Sequence, residues 1–333
     1  MSTDTSTHSE IEVARPRWAA KAERGSALAL RMLIRMVRAL GPRTTRLLVH
    51  PIAAYFLLTD RETRRASRAY FARLASLPEG MAALGHAPGL ADVYRQLVEF
   101  SISIFDRMCV WAGETDGFEL IHRGNDHFSH LPDVEGEGAN ALGKCGTLIA
   151  GAHLGTFDMM RAVSLAEGVP VRAVMYSANA ETINAFFSAL NPGLGADLIH
   201  IRPGDVGASF EIRSAVAKGW FVVIMGDRVG IAPGSTHTVP FLGTPARFPE
   251  GPFALAALIG CPLMVATSVR TGPFQYRVDS EPLYGGGRVP RRDREKVVHE
   301  MIERYAAYLE RACLRTPHQW FNFFDFWNDA GGG

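Results

Sequence analysis

The sequence predicts an α/β protein: a mixed, mostly parallel sheet flanked by helices, with a helical, membrane-associated region on its N-terminal side. Three observations predict it. From about residue 147 to residue 269, short apolar runs of strand length alternate with segments of helical periodicity. Several of those runs end abruptly in glycine and polar residues, as strands of a parallel sheet do where they deliver side chains to a ligand site. From about residue 26 to residue 111 the chain carries helical patterns only, and its first 75 or so residues are rich in arginine with few acids.

Residues 1–20 begin with a polar stretch and contain Arg15-Pro16-Arg17, which predicts a disordered tail. Ser26 to Leu40 then places Arg31, Arg35 and Arg38 on one helical face among Leu30, Leu33, Ile34, Met36, Val37 and Leu40. This is the pattern of a cationic interfacial helix. It is equally that of a surface helix packed on the domain, because periodicity does not say whether protein or lipid covers the apolar face. A second apolar stretch, Leu47 to Leu58, contains His50-Pro51 and is too short to span a bilayer. Neither stretch has the flanks of a cleavable signal peptide. The expected location is the cytoplasmic face of a membrane. Helical patterns continue over 61–76 and 89–111, so the expected division is a tail at 1–20, a membrane-facing helical region at 21–115 and an α/β core at 116–328.

Asp126 to Lys144 is polar, carries Gly136, Gly138 and Gly143, and is expected to contain a short helix. It leads into Leu148 to Ala152, an apolar run of strand length. A helix to about 167, a strand at 171–176, a helix at 180–190, a strand at 197–201, a helix at 208–218 and a strand at 220–225 follow. Next come a helix at 251–259, strands at 263–269 and 274–278, and a long amphipathic helix from Arg291 to Leu314. Phe248-Pro-Glu-Gly251 reads as the start of the 251–259 helix, with Pro252 in its first turn and no strand directly before it.

The net charge of +1 gives no global signal for nucleic acid. The 4 cysteines, Cys109, Cys145, Cys261 and Cys313, are widely spaced and lack a CxxC pair, which predicts reduced core thiols. His122, Asp126, His127 and His130 are clustered without metal-ligand spacing and read as solvated residues, so neither metal nor cofactor is expected. The chain has no GxSxG elbow, Walker loop or GxGxxG.

The candidate chemistry lies at the strand ends. His153 stands at the carboxyl end of the 148–152 strand, before the Gly155-Thr156 turn, and Thr156 is placed to cap the next helix. A neutral imidazole removes a proton from a hydroxyl near pH 7, and a nearby carboxylate fixes its tautomer and stabilises the imidazolium. Asp158 reaches His153 if Leu154 to Phe157 curls into the first helical turn; otherwise it is an ordinary acidic residue at a helix start. The 220–225 strand ends in Gly226-Asp227-Arg228-Val229-Gly230. If the two strands are neighbours, Asp227 and Arg228 face the same pocket as His153, and Arg228 can bind a phosphate or an acyl carbonyl. The alternative is a turn closed by an Asp-Arg ion pair. Ile201-Arg202-Pro-Gly-Asp205 repeats the arrangement at a third strand end.

Together these residues resemble the lysophospholipid acyltransferase superfamily and, within it, the bacterial lipid A late-acyltransferase family. The resemblance rests on His153 to Asp158 as His-x4-Asp, the IMGDRVG strand end at 224–230 and Pro240-Phe-Leu-Gly-Thr-Pro-Ala246. It also rests on Gly251-Pro252, Gly260-Cys-Pro262 and Pro317-His-Gln-Trp320. It implies that His153 deprotonates an acceptor hydroxyl, that Asp158 orients His153, and that the acceptor attacks the thioester of an acyl carrier protein or coenzyme A. Gly155, Thr156, Arg202, Asp227 and Arg228 then stand around the substrates. The acceptor implied is a lipid or glycolipid, and the place is the cytoplasmic face of the bacterial inner membrane, held peripherally or monotopically. Tyr176-Ser177, the Asp227-Arg228 pair and the ending Trp320 to Trp327 depart from the lipid A pattern and look like the branch found in aryl-polyene and related lipid gene clusters. A thioesterase using the same dyad on water, or a lipid-binding protein with a decayed site, are the competing readings.

Overall fold

The computed structural model describes residues 27–112, 117–121, 128, 131–136, 138–166, 168–176, 198–201, 206–228 and 236–327. The tail at 1–20, the helix expected at 180–190, the His122–His130 group and Arg202 to Asp205 lie outside the described residues.

Among the described residues five α-helices come first: α1 (Ala27–Thr45), α2 (Val49–Thr59), α3 (Arg61–Ser76), α4 (Pro78–Leu84) and α5 (Leu90–Trp111). Gly41, at φ 79°, breaks α1 before Pro42, which explains why the sequence pattern reads as two segments. Asp60 starts α3 by accepting a hydrogen bond from the Thr63 amide at 3.0 Å. The remaining elements are β1 (Glu119–Ile121), β2 (Thr147–Gly151), α6 (Phe157–Ala166), β3 (Val171–Tyr176), β4 (Leu198–Ile201), α7 (Val206–Ala217) and β5 (Phe221–Met225). After these come β6 (Thr236–Phe241), β7 (Thr244–Pro249), α8 (Gly251–Ile259), β8 (Leu263–Gly272), β9 (Gln275–Tyr284) and α9 (Arg294–Arg315).

Seven strands form one sheet in the order β1-β9-β8-β2-β5-β3-β4. All neighbouring pairs are parallel except the β8–β9 hairpin, so the sheet is mixed and mostly parallel, as the alternation predicts. β2 lies at the centre and is buried along its whole length. That is why it reads as a continuous apolar run and not as an alternating one. Phe221, Val222 and Val223 of β5 are likewise buried, and each large apolar side chain so buried contributes about 1.5–3 kcal/mol.

The N-terminal helices share a core with the sheet. Val37, Val49, Tyr70, Phe71, Val93 and Phe105 belong to the same buried cluster as Leu148, Val222, Val265 and Trp320. A polar joint ties α5 and the short 3-10 turn between α1 and α2 to β9, where Arg46 pairs with Asp106 at 2.9 Å and the Tyr276 hydroxyl donates to the same carboxylate. Burial lifts Asp106 to about 6, against the pull of Arg46 and of the Tyr276 bond.

Three elements differ from the sequence expectation. β6 and β7 form a separate antiparallel ribbon turned by Leu242 and Gly243, both at positive φ, as a two-residue hairpin turn of the primed type requires. Pro240 pairs with Pro245 in this ribbon, and prolines are what disguise it as non-strand. β7 therefore runs directly into Phe248-Pro249, which corrects the reading that no strand precedes the 251–259 helix. The short helix expected within 126–144 is absent among its described residues. Gly136, Gly138 and Gly143 sit at positive φ, and Asn140 Oδ1 accepts from the Leu142 and Lys144 amides instead, making a turn. α4, which begins at Pro78, is an addition to the expected helices.

Gly155 follows β2 at φ 70°, and a Cβ there would lie 1.9 Å from the Ser268 carbonyl oxygen of β8. Gly155→Ala is expected to lose about 2–4 kcal/mol in denaturant unfolding. Gly251→Ala, where a Cβ meets open space at a helix start, should be neutral or stabilising by about 0.5 kcal/mol. Equal stability of both variants with the parent would contradict the close approach.

Candidate active site

The site follows from strand register. β2 and β5 are parallel with Gly151 opposite Met225, so two further residues along each chain bring His153 level with Asp227. The Gly226 amide extends the ladder by donating to the Gly151 carbonyl at 2.9 Å. The Tyr305 hydroxyl of α9 donates to the same carbonyl at 2.7 Å. The strand ends are thus held before any functional side chain is placed.

Asp227 grips His153 twice. Its Oδ2 accepts from the His153 main-chain amide at 2.7 Å, and its Oδ1 accepts from the ring Nδ1 at 2.7 Å. An ionised carboxylate can only accept, so Nδ1 carries the proton and Nε2 of the neutral ring carries the lone pair. The indole N–H of Trp320 adds a third bond to Asp227 Oδ2 at 3.2 Å. Asp227 is almost fully buried, whereas the His153 side chain is 28 % exposed and so opens to the surroundings.

The electrostatics favour this tautomer. Burial alone raises the Asp227 pKa, but His153, Arg228 and the amide bond outweigh it and hold the carboxyl below its ordinary value. His153 is pulled below its ordinary value by burial first and the Arg228 charge second, with Asp227 opposing both. The imidazole is therefore neutral at physiological pH and available as a base. Burial and the nearby Asp227 charge push the Tyr305 hydroxyl well above its usual value, so it stays a neutral donor.

The loop from His153 to Thr156 is stitched on two sides. Thr156 donates its amide to the Ser268 carbonyl at 2.7 Å, and its own carbonyl accepts from Met159 at the start of α6. Gly155 donates to the Gln319 carbonyl at 2.8 Å, and Phe321 donates to the His153 carbonyl at 2.7 Å. Beside this loop lies a small cavity lined mainly by Ala152, Leu154, Phe157, Met160, Met225 and Ala266.

Asp158 faces elsewhere. Its Oδ1 accepts from the Trp111 indole at 2.8 Å and its Oδ2 pairs with Arg107 at 3.0 Å. Arg107 and Arg161 each lie 5.7 Å from the Trp111 ring centroid. The expectation that Asp158 reaches back to His153 is corrected by this geometry. The first turn of α6 directs the carboxylate to the end of α5, while the β2–β5 register delivers Asp227, expected only as a substrate contact, to the ring. Arg228 does follow Asp227 at the site, with its guanidinium 5.6 Å from the Phe324 ring centroid. Trp320 had a signal in the Pro-x-Gln-Trp element; Arg107 and Trp111 had none, because nothing local in a helix marks which residues meet a carboxylate 47 positions on.

A mixed α/β sheet here presents a tautomer-fixed His–Asp pair at the carboxyl ends of adjacent strands, an arrangement chemically capable of general-base work. The family model for bacterial lipid A biosynthesis acyltransferases matches residues 105–328, and the chain belongs to that family. It is an acyltransferase of lipid biosynthesis. Among solved structures it is similar to the 1-acyl-sn-glycerophosphate (LPA) acyltransferase PlsC from Thermotoga maritima. The two are 14 % identical, with 80 % of this chain and 97 % of that chain covered and a TM-score of 0.34. No curated protein matches the chain.

The two carboxylates are separable by titrating the His153 imidazole by NMR. The parent midpoint should fall below about 6.5, the ordinary histidine value. Asp227→Asn removes the charge that raises it and should lower it further; Arg228→Gln removes a charge that lowers it and should raise it. Asp158→Asn should leave it within about 0.3 units. A midpoint that moves with Asp158 and not with Asp227 would overturn the pairing.

Proposed function

We propose that this acyltransferase moves a fatty acyl chain from an acyl thioester, carried by an acyl carrier protein or coenzyme A, to a hydroxyl of a lipid or glycolipid. The observation that carries this reading is the His153 ring, whose Nδ1–H is committed to Asp227 and whose other nitrogen is left as a base on a partly open side chain. Nε2 takes the proton of the acceptor hydroxyl as that oxygen attacks the thioester carbonyl carbon. The tetrahedral oxyanion collapses, the C–S bond breaks, and the proton passes from the imidazolium to the leaving thiolate. No residue of the protein becomes acylated.

The surroundings fit these steps. Asp227 stabilises the imidazolium that forms, which is worth about 10²–10⁴ in rate when the base is well placed. Arg228, beside it, favours negative charge on the attacked carbonyl; Gly155 and Thr156, in the loop that follows His153, are proposed as substrate contacts, as is Arg202, which lies outside the described residues. Asp158 serves the site by holding Arg107 and Trp111 at the junction of α5 and α6.

The acceptor reaches the site from a membrane surface on this reading. Among the described residues no helix is long and apolar enough to cross a membrane. Leu47, Ile52, Tyr55 and Leu58, on and beside α2, nevertheless expose large apolar side chains, and Arg35 and Arg38 of α1 are exposed nearby in sequence. Such a cationic and apolar surface suits peripheral or monotopic binding to anionic lipid. The proposed location is the cytoplasmic face of the bacterial inner membrane. Residues 21–115 then form the membrane-facing region, 116–328 the catalytic core, and 1–20 a tail.

The test combines vesicle flotation with mass spectrometry of lipids after incubation with acyl thioester. His153→Ala should lose acyl transfer by about 10³-fold or more while still floating with anionic vesicles. Leu47→Asp/Leu58→Asp should lose flotation while the His153 midpoint is unchanged. Release of free fatty acid in place of an acylated lipid would make the protein a thioesterase, and full transfer by His153→Ala would remove His153 from the chemistry.

A further inference from the structure

The Pro317-His-Gln-Trp320 element takes no part in the proton transfers above, yet Trp320 bonds Asp227, and Gln319 and Phe321 bind the loop that carries His153. We propose that Trp320 is a positioning residue, its indole N–H fixing which oxygen of Asp227 faces the imidazole. The proposal rests on the reading of His153 as the base.

Three features support it. First, Asp227 Oδ2 receives two donors, the His153 amide at 2.7 Å and the Trp320 indole at 3.2 Å, which leaves Oδ1 for the ring. A carboxylate held by one amide alone can pivot about that bond; two donors from different segments fix its plane. Second, the indole is itself immobilised. Trp320 is fully buried, with edge-to-face ring contacts to Tyr70, Phe241 and Phe326 at 5.1–5.3 Å. Its carbonyl accepts from Gln96 Nε2 at 2.6 Å. Third, the residues on either side bind the His153 loop. Gln319 and Phe321 exchange main-chain bonds with Gly155 and His153, and the Gln319 side chain holds the Arg270 amide and carbonyl at 2.8 Å each. The Tyr70 hydroxyl secures the upstream end through the Pro317 carbonyl at 2.9 Å.

This strap joins α3, α5 and β8 to the two strand ends, so the orientation of Asp227 depends on the C-terminal segment. The charged and titratable groups facing that carboxylate are His153 from the β2 loop, Arg228 beside it, and Tyr305 and Cys313 from α9. Without the indole N–H the carboxylate keeps more of its charge, raises the His153 pKa and is free to turn.

The test uses the full chain with Trp320 replaced by benzothienylalanine, which puts sulfur in place of the N–H at nearly the same shape, alongside Trp320→Phe and His153→Ala. The sulfur analogue is expected to fall about tenfold in kcat with KM within about twofold of the parent. The acid limb of its rate profile should move up by about half a pH unit. The downfield proton resonance of His153 Nδ1–H should shift as well. Trp320→Phe should add a loss of thermal stability from the smaller ring. If His153→Ala is inactive but the sulfur analogue keeps the parent kcat, pH profile and resonance, Trp320 is structural only and the proposal fails. If His153→Ala is fully active, the reading of His153 fails first.

Discussion

The carboxylate of Asp227 is the point on which the site depends. It binds the main chain and the ring of the same histidine at 2.7 Å each. No side-chain rotation can satisfy both bonds unless the two strand ends are already level. That condition is met by the parallel β2–β5 register, Gly151 opposite Met225. A slip of one residue would put the next side chain of each strand on the opposite face and dissolve the pair. The fold's contribution to the chemistry is therefore a register, and the buried apolar strands are what enforce it.

Around this pair the charges are balanced so that the histidine is neutral and the aspartate an anion. Burial disfavours both charged forms; for Asp227 the interactions with His153 and Arg228 outweigh it, whereas for His153 burial and Arg228 prevail over Asp227. Arg228 tips the balance, favouring the carboxylate and disfavouring the imidazolium of the resting state. Asp158, by contrast, is engaged by the Arg107 guanidinium and the Trp111 indole. On the proposed reading the His-x4-Asp spacing delivers two functions, a base from the strand end and a clamp at the start of the next helix, which joins the α/β core to α5.

Much of this was legible in the sequence because it depends on local rules. β2 and β5 are apolar runs with glycine and polar ends, and α3, α5 and α9 have clear helical periodicity. His153, Asp227 and Arg228 stand out as polar residues at strand ends. That Asp227 shares a pocket with His153 was conditional on the two strands being neighbours, and its pairing with the ring in place of Asp158 was not anticipated, because adjacency and register are properties of the whole sheet, not of either segment. The β6–β7 ribbon was hidden because Pro240, Pro245 and Pro249 argue against a strand, and a two-stranded ribbon accommodates them because each of its strands has an open edge. Trp320 was visible as part of a motif, but its target, 93 residues away in sequence, was not. Long-range partners of this kind carry no local signature.

The most direct measurement is a double-mutant cycle on single-turnover acyl transfer with His153→Ala, Asp227→Asn and the pair combined. If Asp227 acts through His153, each single change is severe and the double variant is no slower than His153→Ala alone. Losses that simply multiply in the double variant would mean that the two residues act independently, and the account of the site would be wrong.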